Sequence, residues 1–96
     1  MDILVTYDIA DTDTTGASRL RRIADVCEKY GQRVQFSVFH CRLSKAKLAR
    51  FVGEVEDIID RERDSVLVYR FPAGIDVSAL RLGRREDHAL GKPWVL

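Results

Sequence analysis

Hydrophobic positions along this chain recur at two periods, and the alternation of those periods predicts its elements. Ile3-Leu4-Val5-Thr6-Tyr7-Asp8-Ile9 is a nearly unbroken run of residues that suit a pleated, buried surface, so a strand is expected almost at the N-terminus. Residues 10–16 form a polar loop with helix-capping residues, and a helix is expected to start within 14–18. Leu20, Ile23, Ala24, Cys27 and Tyr30 then recur at helical spacing, and Gly31 suits the C-terminal cap. In residues 33–43, Val34, Phe36 and Val38 alternate with Gln35 and Ser37, which is strand-like. No Gly, Pro or Asn marks a turn there. The pattern alone reads as one long or bent strand, and because eleven residues is long for one strand a break into two near Ser37 is the alternative. Ser44 caps a second helix, whose stripe of Leu48, Phe51, Val52, Val55, Ile58 and Ile59 is the cleanest in the chain. The charged residues 60–64 read as a solvated helix end and turn. Residues 65–71 form a last strand, stopped by Pro72. A short strand fits residues 75–82, and Gly83, Gly91 and Pro93 break up the basic remainder.

If the middle run folds as a hairpin, the order is β-α-β-β-α-β, an α+β ferredoxin-like sandwich with an antiparallel sheet. Residues 1–72 are then the domain and residues 73–96 a C-terminal extension. The first strand is central, and both helices cover one sheet face. The other face is left without a helix, and a second subunit is its natural cover.

Composition adds bounds. With 96 residues one domain is expected, and 46% apolar with 32% charged residues fits a globular chain. No apolar run approaches the roughly 18 residues that span a bilayer. Asp2 stands where a signal peptide would be basic, which points to a cytoplasmic protein. Cys27 and Cys41 lack metal-site or redox spacing and read as reduced core thiols. The net charge of +1 announces no basic field, but 12 Arg against 4 Lys is a mild pointer to phosphate, with a salt-bridged surface as the alternative.

The chemical anomaly is Asp8. Asp is disfavoured in strands and costly to bury unpaired, so at the end of a core strand it is either a turn-former or a site residue. Asp11 and Asp13 lack calcium-loop spacing, and turn and helix-cap roles are expected of them. His40, a lone strand histidine, is expected to be structural, and His88 has nothing to pair it to a site.

Tyr7-Asp8-Ile9 followed by Gly31-Gln32-Arg33-Val34-Gln35-Phe36-Ser37-Val38-Phe39, a capped second helix and the strand from Asp64-Ser65-Val66 to Tyr69 resembles the small CRISPR-associated adaptation family, the endoribonuclease-type subunit that partners the CRISPR integrase. The resemblance covers residues 1 to 71. It implies a ferredoxin-like homodimer in which Asp8 faces its twin across a two-fold axis, Ser37 divides the second and third strands, and the tail adds a strand to the neighbouring subunit. Paired carboxylates at close range share a proton, move apart or hold a cation. The resemblance implies Mg²⁺, with Mn²⁺ as the alternative, and makes Asp8 both the metal ligand and the catalytic residue. It also carries nucleic-acid contacts onto Arg19, Arg21, Arg22 and Arg33, and gives Tyr7, Ser37 and Phe39 the role of shaping the site. His40 stands where many members carry Glu.

Three functions follow as expectations. The first is a CRISPR-adaptation (spacer-acquisition) protein in antiviral defence that binds duplex DNA with the integrase. The second is a Mg²⁺-dependent endonuclease acting on RNA or double-stranded DNA through Asp8. The third is a ferredoxin-like small-molecule regulatory module, which would have a metabolite pocket and no affinity for duplexes.

Overall fold

The computed structural model describes residues 1–80 together with Leu82 and Gly83. The elements are β1 (Asp2–Asp8), α1 (Ala17–Tyr30), β2 (Gly31–Gln35), β3 (Val38–Arg42), α2 (Lys45–Glu56), β4 (Ser65–Phe71) and α3 (Ile75–Ser78). The four strands form one antiparallel sheet in the order β2-β3-β1-β4. This is the β-α-β-β-α-β sandwich expected, with β1 central.

Alternation along β1 divides the sheet into two faces. Ile3, Val5 and Tyr7 are buried with Ile23 and Cys27 of α1, Phe39 and Cys41 of β3, and Phe51 and Val55 of α2. Leu4, Thr6 and Asp8 point the other way, opposite Val38 and His40 on β3 and Ser65, Leu67 and Tyr69 on β4. Among the described residues no helix covers that second face along its centre, and Leu67 and Tyr69 are 51% and 49% exposed on it.

The long middle run breaks where expected. β2 and β3 form a hairpin turning at Phe36 and Ser37, with a register shift between Arg33 and Gln35. Gly31 serves both α1 and the hairpin. Its N–H caps the helix by donating to the Cys27 carbonyl. A Cβ there would lie 2.3 Å from the His40 carbonyl oxygen and 2.5 Å from Cys41 Sγ, so only glycine lets β2 approach β3 this closely. Ser44 caps α2 as expected, its Oγ accepting from the Lys47 N–H at 3.2 Å. Cys27 and Cys41 are free, buried thiols, and burial pushes them up to about 12 and about 11.

Three local expectations are corrected. The short strand expected over residues 75–82 is absent among the described residues, and one turn of helix, α3, stands there instead. The chain reverses at Gly74, whose φ of 94° puts it in the left-handed half of backbone space, and the Ile75 N–H donates to Asp2 Oδ2 at 2.9 Å. That donor is therefore unavailable to a ladder. The second correction concerns α1, whose N-cap is Gly16 with no side-chain cap from Asp11 or Asp13. The third is Asp64, which is enclosed rather than solvated. The tail strand and His88 lie outside the described residues.

Candidate nucleic-acid and metal site

β1 outruns β3 at its C-terminal end. Thr6 is the last β1 residue in register with β3, opposite Val38, and the Tyr7 N–H donates to the Ser37 carbonyl at 3.1 Å. Asp8 follows one residue later, paired only with Ser65 on β4, and its side chain is exposed. It therefore sits at the rim of the open face, beside the β2–β3 turn.

The side chains beneath that rim are fixed by packing. Tyr7 is buried, stacks on Phe39 with ring centroids 6.2 Å apart, and donates its hydroxyl to the Phe36 carbonyl at 3.2 Å. Burial pushes the Tyr7 hydroxyl above its ordinary range, against a lowering pull from Arg33. Phe39 is fully enclosed, with the Arg33 guanidinium 4.8 Å from its centroid. Arg33 also donates to the Phe36 carbonyl and, at 3.3 Å, to Glu28. Tyr7 and Arg33 thus hold one turn carbonyl from two sides, while Ser37 takes its part through its own carbonyl. The Phe36 ring is left 91% exposed.

On the other side of Asp8 the β1–α1 loop is closed by Asp64, whose side chain is 0% exposed. Its carboxylate accepts from the N–H groups of Ala10 at 2.9 Å and Asp60 at 2.8 Å, and from Arg19 Nε at 2.8 Å. Burial raises the Asp64 carboxyl, but Arg19 and the two N–H groups outweigh that and hold it below the usual range. Arg19 Nη2 also donates to the Ala10 carbonyl at 3.2 Å. Arg63 pairs with Asp11 at 2.6 Å, and Asp11 itself has a φ of 55° that Asp tolerates better than most residues. Gly16 completes the loop, because a Cβ there would fall 1.8 Å from the Ala10 carbonyl oxygen.

The four arginines expected to contact nucleic acid therefore occupy different surroundings. Arg19 is tied into the loop. Arg21 and Arg22 are exposed on α1, Arg22 lining a groove with Asp25, Glu54 and Asp57. Arg33 lies under the hairpin turn. Only Arg33 is brought to the Asp8 rim by contacts with the turn itself. Among the described residues no three His, Cys, Asp or Glu side chains gather to hold a metal. At the rim of the open face the exposed hard-oxygen ligand is Asp8.

His40 belongs to a different cluster at the opposite end of β1. It is buried, with Nε2 3.2 Å from Asp2 Oδ1, and Arg42 Nε donates to the same oxygen at 3.0 Å. Burial raises the Asp2 carboxyl, but the Ile75 N–H, Arg42 and His40 outweigh that and hold it at about 2. Asp2 thus clasps the start of the C-terminal extension.

This arrangement of a hairpin and a rim aspartate on a ferredoxin-like sheet coincides with a known pattern. The family described as CRISPR associated protein Cas2 matches residues 1–75. The chain belongs to the Cas2 family. A CRISPR-associated endonuclease Cas2 of Halalkalibacterium halodurans is 35% identical over 95 residues, 99% of each chain. A CRISPR-associated endoribonuclease Cas2 of Nitratidesulfovibrio vulgaris is 42% identical over 96 residues, covering 100% of this chain and 94% of the relative. The crystal structure of Streptococcus pyogenes Cas2 at pH 6.5 superposes with a TM-score of 0.74 at 37% identity, over 86% of this chain and 100% of that one. No described helix is long and apolar enough to cross a membrane.

Within this Cas2 fold, Asp64 and Phe36 are the site-flanking residues that pattern reading passed over. Asp64 was hidden in a run of charges. Phe36 obeyed the strand alternation, and only the position of the turn exposes it.

Proposed function

We propose that this Cas2 protein is a metal-dependent endonuclease of RNA or double-stranded DNA that works as a homodimer, with Asp8 as its catalytic and metal-holding residue. The observation that carries the reading is that Asp8 is exposed at the end of the central strand, on a sheet face whose apolar side chains are half uncovered. A second copy against that face would bring two Asp8 carboxylates to one axis. Two carboxylates suit Mg²⁺ or Mn²⁺, since Mg²⁺ takes hard oxygens and keeps several waters. When bound, the ion supplies Lewis acidity toward a phosphodiester and activates water. The protein's part is to fix Asp8 through the Ser37 and Asp64 anchorages on either side, and to neutralise phosphates with Arg21, Arg22 and Arg33. Arg19 serves by holding the loop. The family membership supports a role in CRISPR adaptation beside the integrase, with residues 73–96 contributing to subunit or partner contacts. Residues 1–72 form the working domain of that assembly, in the cytoplasm.

The test is cleavage of labelled RNA and labelled duplex DNA, with and without Mg²⁺. Asp8→Asn is expected to lower the rate by at least about a hundredfold while leaving folding intact. Cleavage by Asp8→Asn at the wild-type rate would exclude Asp8 as the catalytic group. Duplex binding by a protein that never cuts would make it a scaffold for the integrase.

A further inference from the structure

The Phe36 ring is the most exposed large hydrophobic side chain among the described residues, at 91%, yet its backbone is among the most constrained. Its carbonyl is held by the Tyr7 hydroxyl and by Arg33, and the next carbonyl, that of Ser37, is held by the Tyr7 N–H. The turn that carries the ring is thus anchored, and the ring itself projects from it into solvent. It borders a groove of about 610 Å³ lined also by Arg33, Gln35, Ser37 and Val38. The groove opens beside the end of β1 that carries Asp8.

The chemistry gathered there is an aromatic face, a guanidinium and polar side chains, next to a carboxylate that would act on a phosphodiester. An unpaired nucleobase has the flat π surface that an exposed phenyl ring recognises, and its phosphate has the charge that Arg33 complements. We infer that Phe36 is a stacking platform for an unpaired base of the bound strand, seating the adjoining phosphodiester at the Asp8 rim. This rests on the endonuclease reading above and adds a positioning residue to it. The site then favours a strand with at least one base out of the helix, whether single-stranded or unpaired at an end or bulge. A continuous duplex offers no free base face to the ring.

Binding of a labelled single-stranded oligonucleotide and of an abasic strand of the same length tests this, because the two share phosphates and differ only in bases. The wild-type protein is expected to bind the base-bearing strand about ten- to a hundredfold more tightly. Phe36→Ala and Phe36→Leu are expected to bind both strands alike, and Phe36→Trp to keep the preference. The ring touches little, so none of the three threatens the fold. Equal binding of the two strands by wild type, or a preference that survives in Phe36→Ala, overturns the assignment. A Phe36→Ala protein that changes mass in light scattering while keeping the base preference overturns it in favour of a subunit contact. Asp8-dependent cleavage without base preference removes Phe36 alone, whereas a protein that neither binds nor cuts removes the endonuclease reading with it.

Discussion

Asp8 pairs with Ser65, the residue after Asp64, so the two carboxylates lie at the same end of the sheet, and their surroundings treat them in opposite ways. Asp64 accepts from two backbone N–H groups and from Arg19, with no exposed side-chain surface. Asp8 takes part in none of these bonds. A carboxylate that completes a buried network is structural, because its removal orphans every donor it served. Asp64→Ala is therefore expected to destabilise the protein by about 3 kcal/mol, measured by urea unfolding, whereas Asp8→Asn stays within about 0.5 kcal/mol of wild type. Equal effects would mean that the contrast between the two sites is not energetic. The sequence made Asp8 legible, because a carboxylate closing an apolar strand is an anomaly that pattern alone can see. It made Asp64 illegible. A residue in the run Asp60-Arg61-Glu62-Arg63-Asp64 looks solvated until Ala10 and Arg19, distant in the chain, are folded against it. The pairing of Arg19 with Asp64 is illegible for the same reason, as its charge is matched by a residue that no local window contains.

At the level of elements, periodicity locates β1, β4 and both long helices, because each buries one face and so carries its own signature, whereas the division of residues 33–43 into β2 and β3 follows from the family resemblance and not from the pattern. α3 escaped. One helical turn has too few residues for a period, and its start is set by Asp2 at the far end of the chain. That clasp has a pH dependence with a definite sign. The folded Asp2 carboxyl, at about 2, lies below its ordinary 3.8, so the clasp contributes fully above about pH 4 and is lost as pH falls through about 2. The shift corresponds to about 2 kcal/mol at neutral pH. Urea unfolding of wild type and Asp2→Asn should show that gap at neutral pH and a shrinking gap below about pH 4. A gap that stays constant down to about pH 2 would place the Asp2 contribution in packing rather than in charge. His40 is part of this clasp through its contact with Asp2, which accounts for a buried strand histidine far from Asp8.

Among the described residues the sheet has two faces, and the two long helices cover one. Leu4, Val38, Leu67 and Tyr69 therefore form an apolar surface that no helix of the described residues covers along its centre, Leu67 and Tyr69 being half exposed, and exposed apolar surface of this kind marks an interaction site. Asp8 belongs to that face by strand alternation, so the proposed subunit association and the proposed chemistry depend on the same side of the sheet. Leu67→Asp tests the link. The side chain is half exposed in the single chain, so the monomer should keep its circular dichroism. In a face-to-face dimer the same substitution buries charge against apolar surface on both subunits, at a cost of several kcal/mol. Sedimentation equilibrium is expected to show a dimer for wild type and a monomer for Leu67→Asp, with Mg²⁺-dependent cleavage lost in step with the dimer. Asp8→Asn, in contrast, should lose cleavage and remain dimeric. If Leu67→Asp stays dimeric, the subunits meet elsewhere and the two Asp8 carboxylates do not share this axis. If it is monomeric and still cuts, a single Asp8 suffices. Only loss of both together requires that one residue, supplied twice, completes the site.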